Sequence, residues 1–244
     1  ARLMVGMING ALFSSPRVAQ VKKTPAQAKK HFEVPTDLPR DYQPPEYRTI
    51  SGRKRIGLDI EGLDPDLNEL GPGAHRKNGK VVGVAVAYDA HDAAYYPTAH
   101  ETGPNVEDPD KFYARLRDEA KSFDGEIVGA NLQYDLDWLR ARHGVVFPQA
   151  KFRDVQIAEP LIDENRLTYK LDALCKDYLG VTKSYDDLIR RYGSGYIQNM
   201  HLVHPGDATV YAEDDTTLAW RVFDKQHEKL DREELIDLFL IEAA

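Results

Sequence analysis

The sequence predicts an α/β fold, a mixed five-stranded sheet with helices on both faces. Two observations lead to it. Short apolar segments rich in β-branched residues come first and close together, at 55–60, 81–88 and 93–97. Short strands at 126–130 and 151–154 then alternate with helical stretches, the pattern of βα units sharing one sheet.

Each element has a local reason. Residues 55–60 (RIGLDI) form an apolar strand with a carboxylate at its end, and 81–88 (VVGVAVAY) read as a buried strand. Between them 67–78 (LNELGPGAHRKN) hold the Gly, Pro and Asn of a loop. Residues 93–97 give a third strand. In 110–123, Phe112, Leu116, Ala120 and Phe123 fall on one helical stripe. After the strand at 126–130, a helix at 134–143 is closed by Gly144. A strand at 151–154 is followed by helices at 155–162, at 169–179 (closed by Gly180) and at 184–192. Residues 193–205, with two glycines, read as a loop. A long helix begins near Asp207, and a last one covers 232–244.

Residues 1–50 differ from the rest. Prolines at 16, 25, 35, 39, 44 and 45 break any long helix. An extended arm is expected, with a short helix near 25–32. Lys22, Lys23, Lys29 and Lys30 could tether nucleic acid, but four lysines in a linker are a weak signal. The expected organisation is this arm, a catalytic domain at 51–230 and the start of a further helix at 231–244.

Composition narrows the function. Hydrophobic residues at 42% and charged residues at 30% suit a soluble globular chain. No apolar run approaches the ~20 residues that cross a bilayer, so no membrane partner is expected. The single cysteine, Cys175, excludes an internal disulfide framework and a cysteine-built zinc site; it falls on an apolar stripe with Leu171, Leu174 and Leu179 and reads as a core thiol. The eight histidines show no ligand spacing. The net charge of −8 rules out binding nucleic acid by bulk positive charge. A nucleic-acid role would need a local site where metal ions offset carboxylates.

Three short motifs supply such a site. Asp59 and Glu61 lie two apart on a strand, so both point to one face. A carboxylate pair of this kind is costly without a cation, and oxygen ligands suit Mg²⁺ or Mn²⁺. The same spacing at Asp231 and Glu233 reads as a solvated helix face. In the second motif (GANLQYDLDWL) a strand ends at Asn131, and Asp135 falls in the first turn of the next helix. Asp135 there is either a dipole-favoured acid or a site residue. In the third (YAEDDTTLAW), Tyr211 and Asp215 are four apart and share a helix face, and helical phase turns Glu213 and Asp214 away from Tyr211. Arg190 and Arg191, before Gly193, either meet a phosphate backbone or end a solvated helix.

The ordered set Asp-x-Glu, Asn-x-x-x-Asp, Tyr-x-x-x-Asp resembles the three exonuclease motifs of the DEDD superfamily, tyrosine subclass, the DnaQ-like 3′–5′ exonucleases. The resemblance covers about residues 54–230. It is most similar to the proofreading domain of family A DNA polymerases: besides the second and third motifs, FRDVQIAEPLIDENRLTYKLDALCKDYLG resembles the stretch between them, and LIDLFLIEAA resembles the helix leading to the polymerase domain. A phage polymerase is the expected source, because the loop at 66–79 departs from the bacterial enzymes; Gly62 departs from the Thr of many relatives, which bears on substrate-side contacts and not on the metal site.

The resemblance implies a ribonuclease-H-like fold and two divalent metal ions, Mg²⁺ or Mn²⁺. It implies that Asp59, Glu61 and Asp215 hold one ion, and that Asp59 bridges to the second, which Asp135 supports directly or through water. Tyr211 would orient the attacking water. Asn131 would contact the terminal nucleotide or cap its helix; Leu63 would wedge against the terminal base or pack in the core. The implied partners are the 3′ end of single-stranded DNA and a polymerase domain, in the same chain or another, and the implied location is cytoplasmic. An RNase D-like exoribonuclease and an inactive scaffold domain of a polymerase are the alternatives.

Overall fold

A computed structural model describes residues 31–182 and 185–243. The strands are β1 (Arg55–Leu63), β2 (Lys80–Ala87), β3 (Ala93–Pro97), β4 (Glu126–Gly129) and β5 (Lys151–Asp154). The helices are α1 (Leu67–Leu70), α2 (Pro109–Ala120), α3 (Leu132–His143), α4 (Val155–Ile162), α5 (Leu171–Leu179), α6 (Asp186–Tyr192), α7 (Pro205–Arg232) and α8 (Ile236–Glu242). The sheet order is β3-β2-β1-β4-β5. β1, β2 and β3 pair antiparallel, while β1–β4 and β4–β5 are parallel. β1 is the central strand, and strand direction changes across it.

Alternation along β1 divides the molecule. Ile56, Leu58 and Ile60 join Val84, Phe112, Leu116, Trp138 and Leu139 in one core, under α2 and α3. On the opposite face α7 crosses the sheet. Ala208, Ala212, Thr216 and Ala219 are its buried positions there, and such small side chains let a helix lie close to strands. Outside α7, a further core joins Val155, Leu174 and Cys175 to Phe223 and Phe239. Cys175 is fully buried, a core thiol as expected.

Three sequence-based boundaries need correction. β1 runs past residue 60 to Leu63, because Gly62 and Leu63 still pair with Val81 and Lys80; the register shifts between Glu61 and Gly62. Asp59 and Glu61 therefore lie inside the strand, not at its end. The stretches expected as plain loops contain α1 and a 3₁₀ turn at Ile197–Leu202. Finally, the last helix, expected at 232–244, covers Ile236–Glu242, because α7 runs on to Arg232 and Glu234, at φ 59°, interrupts the helical path between them.

Residues 31–50 have no helix or strand and are laid along the domain. Phe32 stacks on Tyr192 with ring centres 6.1 Å apart. The Thr209 hydroxyl donates to that of Tyr42 at 3.2 Å. Glu119 accepts from the Tyr47 hydroxyl at 3.1 Å and the Ile50 N–H at 2.8 Å. Lys22, Lys23, Lys29 and Lys30 lie outside the described residues, as does all of the expected helix at 25–32 except His31 and Phe32. Among the described residues no helix is long and apolar enough to cross a membrane.

Candidate active site

Because Ile56, Leu58 and Ile60 enter the α2–α3 core, Gly57, Asp59 and Glu61 face the α7 side. Gly57 fixes the approach of α7. A Cβ there would stand 2.8 Å from the Ala87 Cβ and 3.1 Å from the Thr216 carbonyl oxygen. With Thr216 over Gly57, the preceding turn of α7 lies over the acids. The Tyr211 phenol is pushed well above its ordinary range, by burial first and then by the charges of Glu61 and Asp59. Asp215 follows Tyr211 by one turn on the same stripe.

Asp135 arrives from α3. That helix starts unusually: Asn131 is left-handed, at φ 65° and ψ 42°, and its side chain makes no capping bond. Asparagine tolerates this conformation better than most residues. The cap comes instead from the end of β5, where Asp154 Oδ2 accepts from the Leu132 N–H at 2.7 Å. The other Asp154 oxygen caps α4 through the Gln156 N–H, also at 2.7 Å. Asn131 thus does not cap its own helix, and its side chain is exposed.

Asp135 itself is 4% exposed. Its carboxyl is pushed well above the usual carboxylate range, by burial first and then by the charges of Asp59, Asp154 and Glu61; a hydrogen bond from the Ile60 backbone opposes the rise. Asp135 therefore meets β1 between its two acids. β4 pairs with β1 only as far as Gly57, which leaves that edge of β1 to Asp135. One Asp135 oxygen, Oδ2, is buried with no hydrogen-bond partner in the protein.

This set has the chemistry of a divalent-cation site. Its donors are carboxylate oxygens, its charges disfavour one another, and one buried oxygen is unsatisfied. Among the described residues, no group of three His, Cys, Asp or Glu side chains is arranged to hold a metal ion as it stands. An open set suits Mg²⁺-type ions, which keep several waters and take substrate phosphate oxygens.

Tyr211 stands in an aromatic cluster, its ring centre 5.3 Å from that of Tyr185 and 5.9 Å from that of Tyr196. Sequence reasoning singled out neither Tyr185 nor Tyr196. A cleft of about 370 Å³ opens beside them, lined by Tyr185, Arg190, Arg191, Val210, Tyr211 and Asp214. Asp214 lines the same cleft as Tyr211, contrary to expectation, because helix residues three apart are also neighbours. Glu213 does point elsewhere, accepting from the Tyr95 N–H at 3.0 Å. Arg190 is paired with Asp187, and Arg191 with Asp207 at 3.2 Å. Leu63 ends β1 opposite Lys80.

Residues 75–231 match the sequence profile of a family described as 3′–5′ exonuclease. The chain belongs to that family. Asp135, Tyr211 and Asp215 lie inside the matched stretch; Asp59 and Glu61 precede it. The exonuclease domain is similar to phage DNA polymerases. It is 35% identical over 217 residues to the DNA-directed DNA polymerase of Pseudomonas phage M6, covering 85% of this chain and 32% of that protein. It is 28% identical over 174 residues to DNA polymerase DpoZ of Acinetobacter phage SH-Ab 15497, covering 68% and 26%. The chain thus spans a third or less of these relatives. Among solved structures, Brucella melitensis NrnC with bound Mg²⁺ superposes with TM-score 0.54 at 17% identity, over 78% of this chain and 80% of that one. The catalytic core of RRP6 from Trypanosoma brucei gives 0.51 at 12% identity, over 78% and 45%. The POL domain of Pol1 from M. smegmatis, with DNA primer-template and dNTP, gives 0.51 at 14%, over 80% and 26%. The exonuclease domain shares their ribonuclease-H-like fold.

Proposed function

We propose that the chain is a metal-dependent 3′–5′ exonuclease acting on single-stranded DNA ends, the proofreading domain of a phage DNA polymerase working in the host cytoplasm. The observation that carries this reading is the burial of Asp135 against the charges of Asp59 and Glu61, with Tyr211 under the influence of the same pair. These observations support a shared site for Asp59, Glu61, Asp135 and Tyr211, and Asp215 is assigned to it from its position one turn after Tyr211 on α7.

In this reading Asp59, Glu61 and Asp215 hold one divalent ion, Mg²⁺ or Mn²⁺. Asp59 and Asp135 would hold the second. When bound, the ions activate water and stabilise the leaving oxygen of an in-line phosphodiester hydrolysis. Tyr211 orients the attacking water through its hydroxyl. Burial pushes its phenol up, which favours orienting the water over acting as base. Asn131, exposed at the start of α3, and Leu63, at the end of β1, are proposed on the substrate side. In this reading residues 51–230 are the catalytic unit, 1–50 an N-terminal arm of which 31–50 lie along it, and 231–244 the start of a path to a polymerase domain.

The test is a gel ladder. A 5′-labelled single-stranded DNA is incubated with the chain in Mg²⁺, in Mn²⁺ and in EDTA, beside the Asp59→Ala/Glu61→Ala variant. Metal-dependent shortening from the 3′ end, absent in the variant, is expected. Equal cleavage by the variant would sink the proposal. A matched RNA that is degraded faster than the DNA would move the substrate to RNA.

A further inference from the structure

The connection between β1 and β2, residues 64–79, is organised by a carboxylate that plays no part in the scheme above. The Asp64 side chain is only 3% exposed. Its Oδ2 accepts from the Gly73 N–H at 2.8 Å and, more weakly, from the Tyr134 hydroxyl at 3.4 Å. Its Oδ1 meets the Arg76 guanidinium at 3.0 Å. The same guanidinium donates to the Gly71 carbonyl at 2.5 Å, and the Arg76 carbonyl accepts from Arg142. Two glycines permit this closure. A Cβ on Gly73 would lie 2.5 Å from Asp64 Oδ1, and one on Gly79 would lie 2.5 Å from the Leu63 carbonyl oxygen and press into the Trp138 indole.

Tyr134, Trp138 and Arg142 recur every four residues, so they form one stripe of α3. That stripe is given over to the connection, while Asp135, next to Tyr134, reaches the acids of β1. The seam is a poor stability device. Arg76 Nε and Arg142 Nε are buried in it with no acceptor in the protein, and buried donors without acceptors cost desolvation. Local violations of good packing chemistry concentrate at functional places. This seam joins the end of the strand that carries Glu61 to the helical turn that carries Asp135.

We propose that Asp64 is a positioning residue of the nuclease: with Arg76 and Tyr134 it locks the end of β1 against α3 and so fixes the spacing of Glu61 and Asp135. Both Asp64 oxygens are taken within the protein, so it acts through those two carboxylates and not as a metal ligand. This inference rests on the nuclease reading.

The test uses the full chain and the variants Asp64→Ala, Arg76→Met and Tyr134→Phe. Three quantities are followed: kcat and KM on a 5′-labelled oligonucleotide across a Mn²⁺ titration, Mn²⁺ affinity by calorimetry, and folded fraction by circular dichroism in urea. In folded Asp64→Ala, kcat is expected to fall about 10–100-fold, and the Mn²⁺ needed for half-activation to rise about tenfold, as for other groups that orient metal ligands. KM for the oligonucleotide stays within about twofold, since no substrate contact is removed. Tyr134→Phe moves the same way by less. Folded variants with wild-type kcat and metal requirement would overturn the proposal. If Asp64→Ala does not fold, Tyr134→Phe and Arg76→Met decide by the same criterion. A wild type that cleaves nothing would refute the nuclease reading instead, and Mn²⁺ affinity unchanged by the variants would then overturn the positioning role separately.

Discussion

Asp154, at the end of β5, caps the helix that carries Asp135: its Oδ2 accepts from the Leu132 N–H at 2.7 Å. The parallel side of the sheet thereby sets where α3 begins. Replacing Asp154 by Ala removes the caps of α3 and α4 together. A lost cap costs about 0.5–2 kcal/mol, so a combined loss of about 1–4 kcal/mol is expected in urea unfolding. Cleavage should fall further than stability, because Asp135 moves with its helix. A variant that keeps full activity while losing stability would show that the cap does not set the site.

Asp135→Asn should separate stability from activity. Burial and three neighbouring carboxylates raise the Asp135 carboxyl in the folded state. A raised carboxyl stabilises the fold only when protonated, and that contribution is lost as pH rises through the folded value. At pH 7 without metal, the neutral amide should therefore stabilise the fold, by on the order of 1 kcal/mol, while cleavage drops by orders of magnitude. Added Mn²⁺ should raise the wild-type Tm more than the variant's, since a ligand at 100 times its Kd contributes about 2.7 kcal/mol. A variant less stable than wild type without metal would contradict the electrostatic account.

Gly57→Ala tests the seating of α7. The added Cβ meets Ala87 and the Thr216 carbonyl, and overpacking of this kind typically costs about 1–3 kcal/mol. The displaced helix carries Tyr211 and Asp215, so kcat should fall with stability. Thr216→Ala would not relieve the clash, since the Thr216 carbonyl and Cβ positions both stay. A Gly57→Ala variant as stable and active as wild type would mean that α7 can shift without consequence.

Two histidines, His100 buried and His143 half-buried, set an acid limit. Burial lowers His100 and His143 to about 4. His100 is further held by the Tyr95 hydroxyl and the Val203 carbonyl, each at 2.7 Å. Between the unfolded value of about 6.5 and the folded value, the unfolded chain binds more protons than the native one. Stability therefore falls as pH drops through that window, by up to about 1.4 kcal/mol per unit for each histidine. Urea midpoints at pH 7 and pH 5 measure this. His143→Gln should flatten the slope by about half of the joint effect, and an unchanged slope would remove His143 from the account.

Most of the sheet was legible because its strands are short apolar runs bounded by turn residues, and the matched stretch joins the family as the ordered motifs implied. The site was less so. Period two places Asp59 and Glu61 on one face, but cannot show that Asp135 approaches from the strand's other edge, where β4 stops pairing. Asp154 was overlooked although an acid between a strand and a helix is a visible cap signal; the helix start it reaches lies 22 residues earlier. The Asp64 seam was invisible because its partners, Arg76 and Tyr134, are gathered by tertiary packing across a stretch that reads as loop. Tyr185 and Tyr196 were missed for the same reason.

On the nuclease reading, the position of α7 in the chain governs when the proposed site can be complete. The helix comes late in the sequence yet sits on the central strand, and contacts such as Arg55 with Asp224 bridge 169 positions. Contacts so far apart in sequence are slow to form. During synthesis β1 emerges early, with half of the acids, and waits until α7 has emerged and docked before Tyr211 and Asp215 can join them. A growing or prematurely terminated chain would carry Asp59 and Glu61 without a complete site, so the assembly order itself would withhold cutting activity until the domain is whole.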